Sequence, residues 1–293
     1  MTLRSLTCTQ VALADRARGE NFTVASRVLP RAVRQHLLGF YAFARFVDEI
    51  GDAYEGDRLV ALDEVEAQTL AVLHDQDRVG VLPVVATAVH SVSELGADPK
   101  PLFDLIAANR QDQSVFAYDT FDDLLAYCAL SANPVGRLVL AAFRASGEAR
   151  FAWSDSICTG LQLAEHWQDV AEDAAVGRVY LPREDLDRFG VEPSTLRAGP
   201  PASRAQRALM VFEVARARGH LDRGRPLIAA LSGSARWAVA GFWAGGQAAL
   251  DGIAQSGFDV LAGTPHRSRL RTVTRAMTAV IAAHGAQPAA NAA

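Results

Sequence analysis

Residues 31–52 read RAVRQHLLGFYAFARFVDEIGD, and this stretch decides the fold class. Its apolar residues recur at steps of three and four, as one face of an α-helix requires. The residues that set this period are Val33, Leu37, Phe40, Ala44 and Val47. We therefore predict a helix over 31–51 that buries one face.

A second face of the same helix carries one aromatic, one basic and two acidic side chains. Tyr41, Arg45, Asp48 and Asp52 fall at i, i+4, i+7 and i+11, which places them in one stripe. Two like charges one turn apart cost a few tenths of a kcal/mol, roughly, unless a positive group lies between them. A solvated face with an Arg–Asp pair, contributing well under about 1 kcal/mol, is the alternative interpretation.

The same acidic spacing returns at residues 169–173, DVAED. Gln162, Glu165, Asp169 and Asp173 fall at i, i+3, i+7 and i+11 of a second predicted helix, so they also form a stripe. Hard oxygen ligands suit magnesium or calcium rather than zinc. Two such faces pointing at each other would hold divalent cations, and the cations would hold a diphosphate.

A carboxylate-bridged di-iron bundle is a rival metal site. It requires Glu-x-x-His on two helices. None of the 7 histidines has Glu three residues before it, so the sequence does not favour this site.

The rest of the chain is also helical in pattern, and no segment shows clear period-two alternation. Further helices are predicted over 59–74, 81–95, 102–110, 121–130, 135–146, 153–174, 203–221, 227–231, 235–256 and 267–284. The breaks between them are short. We therefore predict one all-α domain over residues 1–286, followed by a disordered tail over 287–293.

Composition excludes several classes of protein. The net charge is −4 with scattered basic residues, so no nucleic-acid partner is expected. Lys100 is the single lysine and lies between two prolines, which does not fit a phosphate-binding P-loop. The 3 cysteines form no metal or disulfide pattern and are expected to be buried thiols in a reducing compartment. The nearest approach to a membrane span is 237–250, which is too short and is interpreted as a buried helix.

Residues 127–136, YCALSANPVG, place a proline and small residues inside a helical stretch. This composition predicts a kink that leaves room for an apolar group, although close helix packing has the same signature. Asp112 is either a further polar contact or a helix end.

Four segments together resemble the squalene and phytoene synthase family, the head-to-head prenyl transferases. They are 41–52, 127–136, 161–173 and 177–182, and the similarity extends over about residues 21–259. Residues 20–27 and His166-Trp167-Gln168-Asp169 are most similar to the bacterial hydroxysqualene synthase branch of hopanoid biosynthesis. The chain departs from the family pattern at Glu49, where an aspartate is common, and at Glu165, where asparagine is frequent.

The resemblance implies an isoprenoid-synthase helical bundle around a central apolar cavity. It also implies an enzyme that converts presqualene diphosphate into hydroxysqualene with Mg2+. The implied metal ligands are Asp48, Asp52, Glu165, Asp169 and Asp173. The implied substrate-binding residues are Arg45, Asp112, Gln162 and Arg178, and the implied catalytic residues are Tyr41, Arg45 and Tyr180. Relatives hold phosphate with lysines, so Arg45, Arg178 or the group Arg267, Arg269 and Arg271 would substitute here.

Other members of the family remain alternatives. They are 15-cis-phytoene synthase, presqualene diphosphate synthase, squalene synthase and non-catalytic scaffold relatives. A scaffold is expected to have lost its aspartates, and all four remain here. The expected partner is a prenyl diphosphate, and the expected location is the cytoplasm, with peripheral contact at the inner membrane face because such a substrate partitions into bilayers.

Overall fold

A computed structural model of the chain describes residues 29–75, 80–263 and 269–285. Regular structure in these ranges is helical, without a strand. The α-helices are α1 Arg31–Ala53, α2 Arg58–Leu73, α3 Pro83–Leu95, α4 Lys100–Gln111, α5 Phe121–Ser131, α6 Asn133–Ala142, α7 Glu148–Gln168, α8 Val170–Ala175, α9 Arg183–Phe189, α10 Arg204–Gly224, α11 Pro226–Ala230, α12 Gly233–Gln255 and α13 Arg269–Gly285. The all-α prediction is confirmed. Cys8, residues 20–27 and the tail 287–293 lie outside the described residues.

The predicted helix over 153–174 is wrong in one respect, because it is divided at Asp169. This residue has φ −103° and ψ 12°, away from the α-helical values of about −63° and −42°. Helical hydrogen bonds continue on both sides: Asp169 N donates to Glu165 O at 3.1 Å, and Asp173 N donates to Asp169 O at 2.8 Å. The acidic stripe is therefore bent at Asp169 instead of straight.

The break predicted near Pro134 is present. α5 ends at Ser131 and α6 begins at Asn133, with Pro134 in the first turn of α6, where its missing N–H costs no helical bond. Phe121–Ala142 is the one stretch in the described ranges that is long and apolar enough to cross a membrane by length and composition, and more than half of it is buried. The sequence-based choice of 237–250 as the nearest approach to a span is therefore corrected.

The chain divides into two compact units. The first contains the described part of Met1–Val115 together with Ala129–Phe151. In it α1 packs against α3, α4 and α6, and α2 packs against α3 and α4. The fully buried side chains of this core include Phe43, Ile50, Leu62, Leu102 and Ile106.

The second unit contains Phe116–Cys128 and the described part of Ala152–Ala293. In it α10 packs against α9 and α12, while α13 packs against α11 and α12. Trp167, Leu163, Leu209 and Leu221 are almost fully buried there. The prediction of a single domain over 1–286 stays a prediction.

Candidate functional site

The first acidic stripe lies on α1, as predicted. Tyr41 is buried, Arg45 and Asp48 are half-buried, and Asp52 is exposed at the last turn of the helix. Arg45 Nη1 lies 3.7 Å from Asp48 Oδ2. The stripe therefore combines a buried ring, one cation and two carboxylates that solvent can reach.

Asn109 on α4 holds the first of these carboxylates. Its Nδ2 donates to Asp48 Oδ1 at 3.2 Å and to Leu105 O at 3.2 Å, and the side chain is buried. Gly51 makes this approach feasible, because a Cβ at that position would overlap Asn109 Oδ1. Asn109 was not among the predicted site residues, because its partner is 61 residues away in the chain.

Arg58 closes the carboxyl end of α1. It donates to the carbonyl oxygens of Gly51 at 2.9 Å, Asp52 at 3.0 Å and Tyr54 at 3.1 Å. The end of a helix carries a partial negative charge that disfavours carboxylates by about 0.3–1 kcal/mol each. The last turn of α1 has no basic residue of its own. Arg58 therefore supplies, beside the exposed Asp52, the positive charge that the last turn of α1 lacks.

Asp112 is the C-cap residue of α4, and its backbone N–H donates to Ala108 O. Asp112 therefore lies at the end of a helix. Its predicted role in binding substrate stays a prediction.

The second acidic stripe lies at the junction of α7 and α8. Gln162, Asp169 and Asp173 are half-buried, and Glu165 is exposed. Burial and, after it, the neighbouring Asp169 carboxylate raise the pKa of Asp173, while Arg178 opposes both, and the net pKa is about 7. Glu172 and Glu165 act in the same direction as Asp169. The carboxylates are thus crowded beyond what Arg178 compensates.

A turn after α8 positions Arg178 near this cluster. Gly177 has φ +83°, a left-handed conformation that glycine adopts without strain. Arg178 N then donates to Asp173 O at 2.9 Å. Val179 N donates to Phe116 O at 2.7 Å within an isolated bridge that fixes the segment after the turn.

Tyr180 belongs to a buried aromatic cluster. Its ring stacks on His166 with centroids 3.7 Å apart and 15° between the planes. Tyr118 and Tyr127 lie at 5.9 Å from the Tyr180 ring. Burial lowers the pKa of His166 to about 3, so its imidazole is neutral at physiological pH.

His166 ties this cluster to the acidic stripe. Gln162 Nε2 lies 3.2 Å from His166 Nε2. His166, Asp173, Arg178 and Tyr180 line one recess of the second unit. His166 was visible in the sequence only as part of the motif His166-Trp167-Gln168-Asp169, and its contact with Tyr180 could not be predicted from that motif.

The donors on both stripes are carboxylate and amide oxygens, which suit a hard divalent cation. No three His, Cys, Asp or Glu side chains within residues 29–75, 80–263 and 269–285 are gathered as a ready metal site. Arg267 lies outside the described residues, as do the side chains of Arg269 and Arg271.

Known proteins resemble this chain over most of its length. The sequence profile of the squalene/phytoene synthase family matches residues 15–276. Hydroxysqualene synthase of Rhodopseudomonas palustris is 35% identical over 221 residues, covering 72% of this chain and 71% of the relative. Phytoene synthase of Arthrospira platensis is 32% identical over 235 residues, covering 75% of each.

Solved structures give the same result. Squalene synthase HpnC from Alicyclobacillus acidocaldarius superposes with a TM-score of 0.77 at 35% identity, over 88% of this chain and 96% of that one. A dehydrosqualene synthase in complex with ligand, 21% identical, shares the fold with a TM-score of 0.83, over 97% of this chain and 98% of that one. The resemblance inferred from the four motifs is confirmed, and the chain is an enzyme that belongs to the squalene/phytoene synthase family.

Proposed function

We propose that the chain is a magnesium-dependent hydroxysqualene synthase. In this reaction presqualene diphosphate and water give hydroxysqualene and diphosphate. The relative from Rhodopseudomonas palustris supports this choice, and so does His166-Trp167-Gln168-Asp169, which resembles the hydroxysqualene synthase branch.

The observation that carries the proposal is the crowding of carboxylates at the α7–α8 bend. Burial disfavours the ionised form of Asp173 most, Asp169, Glu172 and Glu165 add to this effect, and Arg178 offsets only part of it. A bound divalent cation would remove the repulsion, and the oxygen donors fit Mg2+ better than a softer metal. The predicted ligands Asp48, Asp52, Glu165, Asp169 and Asp173 are retained in the proposal.

Both acidic helices contribute to the site in this proposal. Mg2+ would supply Lewis-acid neutralisation of the leaving diphosphate. Arg45 and Arg178 would bind the same diphosphate, because each lies beside an acidic stripe and guanidinium groups match phosphate oxygens in geometry. Asn109 would keep the Asp48 carboxylate in place through its 3.2 Å hydrogen bond.

Aromatic rings would protect the substrate after ionisation. The carbon–oxygen bond to diphosphate breaks, both electrons leave with diphosphate, and the hydrocarbon keeps the positive charge. Tyr41 is buried and would stabilise the cation by cation–π contact, contributing about 2 kcal/mol in a site without water. After rearrangement, water adds to the cation and loses a proton to solvent. Tyr180, stacked on His166, would position that water.

Phytoene synthesis is the second candidate, because the Arthrospira platensis relative is 32% identical over three quarters of the chain. In that reaction the cation loses a proton instead of capturing water.

Product analysis distinguishes these reactions. Purified protein is incubated with Mg2+ and presqualene diphosphate, farnesyl diphosphate or geranylgeranyl diphosphate, and products are identified by mass spectrometry. The proposal expects hydroxysqualene from presqualene diphosphate, with one oxygen from H218O. Phytoene from geranylgeranyl diphosphate, without hydroxysqualene, would move the chain to the other branch.

A further inference from the structure

The C-terminal helix α13 presents an apolar stripe to solvent. Val273, Met277 and Ile281 are 55%, 48% and 67% exposed. They are spaced four residues apart, so they share one face. Ala279, Val280 and Ala283 are buried, because α13 packs against α11 and α12. The helix is thus apolar on both its packed face and its outer face.

The charge of α13 is as unusual as its exposure. The helix contains Arg269, Arg271 and Arg275 and no acidic residue, within a chain whose net charge is −4. The last acidic residue of the sequence is Asp259. Arg275 is paired with Asp251 of α12 at 2.8 Å, which anchors α13 to the second unit. An exposed apolar stripe on a basic helix is typical of a segment that lies in a membrane interface.

We propose that α13 docks the protein on an anionic lipid bilayer, with Val273, Met277 and Ile281 inserted at the level of the headgroups. The apolar part of the helix, Thr272–Ala283, is shorter than the ~20 residues that a span needs, so the helix lies in the surface plane. The helix has three arginines and no acidic residue, and this basic composition favours a bilayer with a negative surface potential. This inference goes beyond the proposed reaction, and binding is measurable without substrate.

A second copy of the chain fits this face less well than a bilayer. Stable protein interfaces bury about 800 Å2 per partner, far more than three half-exposed side chains provide. Two α13 helices would also bring basic segments without acidic residues against each other. Anionic lipid satisfies both the apolar stripe and the charge.

Vesicle co-sedimentation of the full chain tests the proposal. Phosphatidylcholine vesicles, with and without phosphatidylglycerol, are titrated against wild type and the triple variant Val273→Gln, Met277→Gln, Ile281→Gln. We expect wild type to bind the anionic vesicles preferentially and the triple variant to bind them about tenfold more weakly. Arg269→Gln with Arg271→Gln is expected to weaken binding about thirtyfold, since each arginine near the surface contributes about 1 kcal/mol.

A matched control separates a docking face from general surface hydrophobicity. Leu59, Val60 and Leu70 of α2 are 48%, 62% and 43% exposed, and replacing all three with Gln is expected to leave binding unchanged. Circular dichroism checks that each variant is folded. Equal binding of wild type and the α13 triple variant would overturn the proposal, as would equal binding to vesicles without phosphatidylglycerol. A dimer in solution that only the α13 substitutions dissociate, without a change in lipid binding, would assign the face to a second copy.

Discussion

Glu213 is a carboxyl group placed where water does not reach it. Its side chain on α10 is 0% exposed, and Arg216 Nη1 lies 3.5 Å from one of its oxygens. Burial raises its pKa to about 8, opposed by Arg216 and reinforced by Asp185. Arg216 is committed to Asp185 by a 2.7 Å hydrogen bond, so Glu213 is mainly protonated at neutral pH.

This residue makes stability depend on pH. The ordinary pKa is 4.5 and the folded value about 8, so between them the folded state binds more protons than the unfolded chain. The group therefore favours folding below pH 4.5, and that advantage is lost as pH rises through about 8, at about 1.4 kcal/mol per unit. In Glu213→Gln, the denaturant midpoint is expected to fall less between pH 4.5 and about pH 8 than it does in wild type. An unchanged pH profile in the variant would contradict the assignment.

Some residues of the candidate site could be predicted from the sequence, and others could not. The acidic types and their spacing were visible, because ligand chemistry and helical period are local properties. Asn109 was not, because its role comes from Asp48, 61 residues away. The stacking of His166 on Tyr180 is equally non-local, since Tyr180 follows a turn after α8.

At the scale of elements, α1 depends on a close approach to α4. A Cβ on Gly51 would overlap Asn109 Oδ1 and crowd the rest of that side chain. The helix therefore accepts a glycine in its last turn, although glycine costs about 1 kcal/mol relative to alanine in a helix interior.

Gly51→Ala tests this packing. We expect the variant to displace Asn109, lose about 1–3 kcal/mol of stability and lower turnover, because Asp48 loses its hydrogen bond. Thermal unfolding and steady-state kinetics measure the two effects. Gly219→Ala on α10 is the matched control, since its nearest neighbour is the Arg223 Nη1 atom at 3.6 Å. Equal effects at the two positions would contradict the account.

The bend at Asp169 could not be predicted from hydrophobic periodicity. Residues 162–173 contain no glycine or proline, and the apolar period runs through them without interruption. Hydrophobic periodicity shows which face of a helix is buried. A helix that bends while keeping its hydrogen bonds buries the same face, so the periodicity does not change. The pattern consequently predicted the stripe but not its break.

For the whole molecule, helical periodicity predicted the all-α class, and four motifs in a fixed order predicted the family, because together they are far more specific than any helical pattern. The family match over residues 15–276 confirms that reasoning. Substrate choice is different, because a relative named hydroxysqualene synthase and one named phytoene synthase match this chain at similar identity, 35% and 32%, over similar shares of its length. The proposed function requires the carboxylates of α1 and those of the α7–α8 bend for turnover.

The most direct test measures hydroxysqualene formation from presqualene diphosphate in wild type, Asp52→Asn and Asp169→Asn, with Mg2+ or EDTA. Asp187→Asn, on the exposed side of α9, is the control. We predict that EDTA abolishes turnover and that each acidic-stripe variant loses at least about a hundredfold in kcat while thermal unfolding is unchanged. The Asp187 variant should match wild type. Full Mg2+-dependent turnover in either Asp52→Asn or Asp169→Asn would contradict the claim that both acidic helices serve the reaction.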